Sequence, residues 1–256
     1  MRFTGGLAAI VNLAQAWPTS SDHTLSSRSA SYKDPETGFT FSETKAAATL
    51  TSNIIYRIAQ PANISANQPY DIVLQVIAPS SLGWVGLAWG GNMVRNPLTV
   101  SYPNGQKATV SSRWATYVLL LLPSHSPLLS PTPHQQNETK QRKLANRYIK
   151  SGHSTPQQYP SATYTQLSAG NKANGTHWQV TVKCTGCTTY NGSSGPVYVE
   201  PSGSRRLAFA CSQGKVSNPG SASASIPVHD VYNYITHDFS AGRNEGWAAL
   251  LERNGV

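Results

Sequence analysis

Sulfur and imidazole carry most of the chemistry this chain could do. Its methionines are the initiator Met1 and Met93, which sits in "GGNMVRN", a Gly-Gly-Asn turn between two strand-like runs. A thioether is a pliable core filler, and it is also a soft, neutral metal ligand. Imidazole is available from His23, His125, His134, His153, His177, His229 and His237, of which His229 and His237 are each followed by aspartate. A blue-copper centre needs one Cys, two His and usually a Met in close order, and no methionine follows Cys211. The remaining cysteines form "CTGC", Cys184 to Cys187. Structural zinc would need a second ligand pair, which is missing. A redox CxxC should open a helix, whereas "TTYNGSSG" follows. Covalent haem attachment needs CxxCH, and the next residue is Thr188. A local disulfide in an oxidising compartment fits best, with Cys211 left as a buried thiol.

The elements that must position these groups read as short strands. "GFTFSE", "AATLTSNIIYRIA", "YDIVLQVIA", "GWVGLAW", "PLTVSY" and "KATVSS" come first, then "ATYTQLS", "THWQVTVK", "PVYVE" and "RRLAFA". Several alternate apolar and polar residues, the period of a half-buried strand. "ANQP", "PNGQ", "NKANG" and "PSGS" supply the turns between them. Many antiparallel strands without helical interleaving predict an all-β sandwich of two sheets, immunoglobulin-like. A short C-terminal helix is expected in "NEGWAALLERN", where Trp247, Leu250 and Leu251 share a face.

At 256 residues, with 12% charged and 39% hydrophobic side chains, the chain has the composition of a turn-rich secreted protein. Much of the net charge of +9 sits in Lys140, Arg142, Lys143, Arg147 and Lys150, and without them no basic stripe remains for nucleic acid. Residues 1–16 read as a signal peptide ending in "AQA", with residues 17–256 as one domain. Cleavage there leaves Trp17, not the N-terminal histidine of a copper monooxygenase. No run is long enough for a membrane span. Sequons at Asn63, Asn174 and Asn191 fit an extracellular location. Residues 117–151 break the pattern, passing from a Leu/Pro/Ser tract to a basic one. Without them "SSRWAT" joins "GHSTPQQY" smoothly, and Thr116-Tyr-Val can encode a fungal-type intron donor. The segment is expected to be either translated intron or a disordered insertion.

Taken together, "YKDPETGFTF", "GWVGLAWGGNM", "NPLTVSYPNG", "SSRWAT", "THWQVTVKCTGC" and "VHD" resemble the cytochrome domain of fungal cellobiose dehydrogenases, among the iron-reductase, DOMON-like cytochromes. The resemblance spans about Tyr32 to Leu251, apart from the odd segment. It implies a non-covalent haem b held between Met93 and His229, in a loop-lined pocket at one end of a β-sandwich. His237 is the rival for the second position. Methionine paired with imidazole favours ferrous iron and leaves no vacant coordination position, so outer-sphere electron transfer is the implied chemistry. The glycines before Met93 are expected to let the backbone approach the macrocycle. Of the family's cysteine pairs only Cys184–Cys187 carries over, because Val85 stands where some members have another cysteine. The implied partners are a flavin dehydrogenase as donor, with ferric complexes, quinones or a copper polysaccharide monooxygenase as acceptors. No flavin domain or dinucleotide fingerprint is recognisable, so the expectation is a carrier with possible ferric-reductase activity and no dehydrogenase of its own. The alternative is a DOMON-like ligand- or sugar-binding module without redox activity.

Overall fold

The computed structural model describes residues 29–121, 148–192 and 194–256, so any signal peptide lies outside it. The larger sheet runs in the order β1 (Ala30–Lys33), β2 (Thr40–Ala47), β3 (Asn53–Pro61), β4 (Ile72–Pro79), β13 (His177–Thr185) and β11 (Thr163–Gln166). Two short strands join it: β12 (Lys172–Ala173) beside β13, and β18 (Arg243–Asn244), parallel to β3. The smaller sheet runs β10 (Gln157–Gln158), β7 (Lys107–Trp114), β6 (Leu98–Asn104), β5 (Trp84–Ala88), β16 (Ser204–Ser212) and β17 (Val231–Asp238). All pairings within that sheet are antiparallel. Two separate ribbons pair β14 (Thr189–Gly192) with β15 (Gly195–Tyr198), and β8 (Tyr117–Leu121) with β9 (Tyr148–His153).

Alternation along the strands decides which side chains meet. Ile54, Tyr56 and Ile58 on β3, Ile72, Leu74 and Val76 on β4, and Val180 and Val182 on β13 point between the sheets. Val85, Leu87, Leu207, Phe209 and Ile235 meet them from the smaller sheet. Each large aliphatic group buried there stabilises the fold by about 2 kcal/mol. β4 is central and buried on both faces; its Val73 packs with Phe39, Phe41, Ala59 and Leu167 on the outer side of the larger sheet. The expected helix, α1 (Trp247–Arg253), covers that outer cluster with Trp247, Leu250 and Leu251. Asn254 docks the helix end, donating from Nδ2 to Leu250 O (2.8 Å) and Thr37 O (2.9 Å). The outer face of the smaller sheet carries no helix among the described residues. Instead it holds Trp84, Val100 and Tyr102 in one cluster and Ala88, Val94 and Leu98 in another.

The ends of the odd segment are drawn together where they leave the sandwich. Ser154 N donates to Thr116 O (2.8 Å), and Thr116 N donates to Ser154 Oγ (2.9 Å). β8 and β9 continue outward from that closure as a ribbon of their own, and residues 122–147 lie outside the described residues.

Candidate functional site

Met93 lies in the connection between β5 and β6. Trp89 N donates to Pro97 O (3.1 Å) and closes the loop at its base. Asn96, 1% exposed, is the clamp inside it. Its Oδ1 accepts from Gly90 N (2.8 Å), and its Nδ2 donates to Asn92 O (2.8 Å) and Val94 O (3.0 Å). The Gly90–Gly91 pair does not make room for a cofactor, contrary to the sequence-based expectation. A Cβ on Gly90 would come within 2.5 Å of the Tyr190 hydroxyl and 2.7 Å of Asn96 Cβ. One on Gly91, at φ +69°, would come within 2.7 Å of Arg206 O. The glycines therefore let the loop settle onto β16 and Tyr190. Behind the loop, Trp89 Nε1 donates to Thr99 Oγ1 (2.8 Å), which is 2.6 Å from the Tyr164 hydroxyl. That hydroxyl lies 3.2 Å from Sγ of Cys187, which is disulfide-bonded to Cys184.

His229 is held from the other end of the smaller sheet, in the residues leading into β17. Asp230 N donates to Cys211 O (2.9 Å). The Asp230 carboxylate accepts from Gln213 N (2.8 Å) and Ser212 Oγ (2.8 Å), which lowers its pKa. Asp230 thus pins the chain beside His229 and does not hydrogen-bond its ring. The approach to His229 is anchored by Arg113, a buried guanidinium that donates to Ser111 Oγ (2.6 Å), Ala222 O (2.9 Å) and Ala224 O (2.6 Å). The His229 ring tilts against Tyr232 at 5.0 Å.

Met93 and His229 line one cavity of about 420 Å³. It lies on the outer face of the smaller sheet, not at the end of the sandwich. Its floor is made of the smallest residues of adjacent strands, Gly86 and Ala88 on β5 with Ala208 and Ala210 on β16. Leu98 and Val100 form one wall, and Tyr232 and Tyr234 on β17 form the other. The Met93 loop follows Ala88, and Asp230, next to His229, is tied to Ser212, which pairs with Trp84. The two side chains therefore approach from opposite ends of the floor.

His237 is not in the cavity. It is 0% exposed and points between the sheets, where its Nδ1 is 2.8 Å from Thr44 Oγ1 and its ring meets Phe239 edge-on. Its Nε2 has no partner among the described residues. Burial lowers its pKa to about 3, with Asp238 pulling slightly the other way. His177 is exposed at the start of β13 beside Thr176. His153 lies in β9, while His23, His125 and His134 fall outside the described residues.

Sequence reasoning missed the floor and β17. The floor was legible as a small residue at every second position of "GLA" and of "AFA". β17 was obscured because its outer face alternates Tyr, Tyr and Thr with inward Ile235 and His237, giving no apolar run.

Comparison with known proteins places these features in context. Residues 32–249 match the family described as the cytochrome domain of cellobiose dehydrogenase. A curated pyrroloquinoline quinone-dependent pyranose dehydrogenase from Coprinopsis cinerea is 32% identical over 111 residues, 43% of this chain. The matched stretch is 13% of that relative's length. Among solved structures, the cytochrome domain of Myriococcum thermophilum cellobiose dehydrogenase aligns with a TM-score of 0.66 at 15% identity, covering 88% of this chain and 96% of that one. The cytochrome b domain of Coprinopsis cinerea pyranose dehydrogenase aligns with a TM-score of 0.63 at 22% identity, covering 88% and 95%. At these identities the alignments show the shared sandwich.

Proposed function

Because this chain belongs to the family of cellobiose dehydrogenase cytochrome domains, which implies a haem cofactor and haem-based electron transfer, we propose that it is a secreted carrier in which Met93 and His229 would hold a non-covalent haem b through its iron. The observation that carries the reading is the meeting of these two side chains, far apart in the chain, in one apolar cavity. The residues present fit the group. The floor of Gly86, Ala88, Ala208 and Ala210 leaves space that larger side chains would fill, and thioether with imidazole is a donor set for low-spin haem iron. Bound there, the haem would supply a one-electron couple. The chain's own residues do the rest: Asn96 holds the Met93 loop, Arg113 and Asp230 hold the approach to His229, and the apolar walls exclude water, which favours the neutral-ligand ferrous state.

The electron donor in this reading is a dehydrogenase, flavin- or quinone-dependent. The acceptors are ferric complexes, quinones or a copper polysaccharide monooxygenase. An extracellular location is supported by the Cys184–Cys187 disulfide and the sequons. A sugar-binding module fits less well, because the cavity offers mostly aliphatic and aromatic surface with few polar groups.

Absorption spectra of the haem-reconstituted protein with and without dithionite test the assignment. Sharp α and β bands are expected on reduction. His229→Ala should abolish the low-spin spectrum and His237→Gln should keep it. Met93→His should retain haem and lower the potential, since imidazole replaces a thioether. Loss of the spectrum in His237→Gln alone would reassign the ligand, and a wild-type protein that takes up no haem would return the cavity to the binding-module reading.

A further inference from the structure

Building on the haem reading, we propose that Arg206 binds a carboxylate of the macrocycle and so fixes which edge of it faces the mouth of the cavity. Arg206, Ala208 and Ala210 share the outer face of β16, and Ala208 and Ala210 are floor residues. The arginine is thus the next position along the floor. Its guanidinium Cζ lies 4.6 Å over the ring of Tyr234, which lines the cavity and is 52% exposed. Its Nε sits 3.5 Å from where a Gly91 Cβ would be, against the Met93 loop. The cation is therefore stationed at the rim. Among the described residues the Arg206 guanidinium has no carboxylate partner and no hydrogen-bond acceptor.

The cavity itself cannot receive the carboxylates. Among the described residues its lining contains no Lys or Arg, and an ionised carboxylate left unpaired among apolar groups is strongly disfavoured. The carboxylate edge must leave through the mouth, toward a cation. Arg113 is committed to backbone carbonyls. Arg95 stands 5.9 Å over Tyr117, which also lines the cavity, but it projects from the Met93 loop and not from a floor strand. Arg206 stands on the outer face of the floor strand, in line with Ala208 and Ala210, whereas its neighbour Arg205 alternates to the other face. Its planar fork matches a carboxylate, and a bidentate pair there would also orient the ring.

The test is a titration of the apoprotein with haem b and with its dimethyl ester, whose carboxylates are uncharged. Wild type should prefer the free acid. Arg206→Gln should weaken the free acid by roughly three- to tenfold and leave the ester unchanged. Arg206→Lys should recover part of the loss, and Arg95→Gln should have a smaller effect. Unchanged affinity for both compounds in Arg206→Gln overturns the proposal. So does an equal loss for both, which would mark a packing role. Failure of the wild type to bind either compound is a separate result, and it overturns the haem reading along with this one.

Discussion

Acidification should destabilise this fold through His237 in a way that one substitution removes. The unfolded side chain titrates near 6.5, whereas burial holds the folded one at about 3. Above pH 6.5 both states are neutral and His237 contributes no pH dependence. As pH falls from 6.5 toward 3, the unfolded chain takes up a proton that the folded chain refuses, so stability declines, approaching about 1.4 kcal/mol per pH unit. Between pH 7 and pH 4.5 the loss from this group is about 2.5 kcal/mol, and it levels off below pH 3. The structural cause is plain: Nδ1 is engaged with Thr44, while Nε2 is buried without a partner and has nowhere to place a second proton. The assay is urea denaturation of the apoprotein at half-unit pH steps, wild type against His237→Gln. The glutamine keeps a donor and acceptor for Thr44 but does not titrate. Carboxylates contribute equally to both curves, so their difference isolates the histidine. Parallel curves between pH 6.5 and pH 4 would refute the reasoning.

Two further outcomes are expected. Asn96→Ala should cost about 2–4 kcal/mol in denaturant unfolding, because it removes three hydrogen bonds of 2.8 to 3.0 Å and leaves the half-buried Gly90 N–H without its acceptor; Asn96→Asp should be no milder, since it turns an acceptor toward the carbonyls of Asn92 and Val94, and circular dichroism with the reduced spectrum checks that the Met93 loop is what loosens. Deleting residues 117–151 should leave the melting temperature within a few degrees of the parent, because Trp114 still pairs with Gln157 across β7 and β10 and the Thr116–Ser154 closure needs only a short join; collapse of the deletion variant on calorimetry would make the segment integral to the sandwich.

Much of the sandwich was legible because its residues obey one period. Ile72, Leu74 and Val76 face the core and their neighbours do not, and Trp247, Leu250 and Leu251 lie on one helical face. The pairing of Met93 with His229 was implied by the resemblance to the family's motifs, and the choice of His229 over His237 did not follow from local physics. Both histidines precede an aspartate, and only strand register shows that His237 turns inward. Glycine was misread because its role depends on what approaches it: Gly90 and Gly91 accommodate Tyr190 and Arg206, whereas Gly86 belongs to the floor. Register also places the leftover Cys211 directly opposite Val85, a pairing that the sequence does not announce. No period encodes a contact between strands so distant in the chain.

The cavity's place outside the sandwich has a consequence for biogenesis. Ile54, Leu74, Val182, Leu207 and Ile235 seal the interior on the far side of the smaller sheet from Met93 and His229. On the haem reading, the polypeptide would reach its native topology before any prosthetic group arrives, and loading would be a late, separable step that needs only an open mouth. Supply of the pigment would then limit how many molecules are active, not how many are folded.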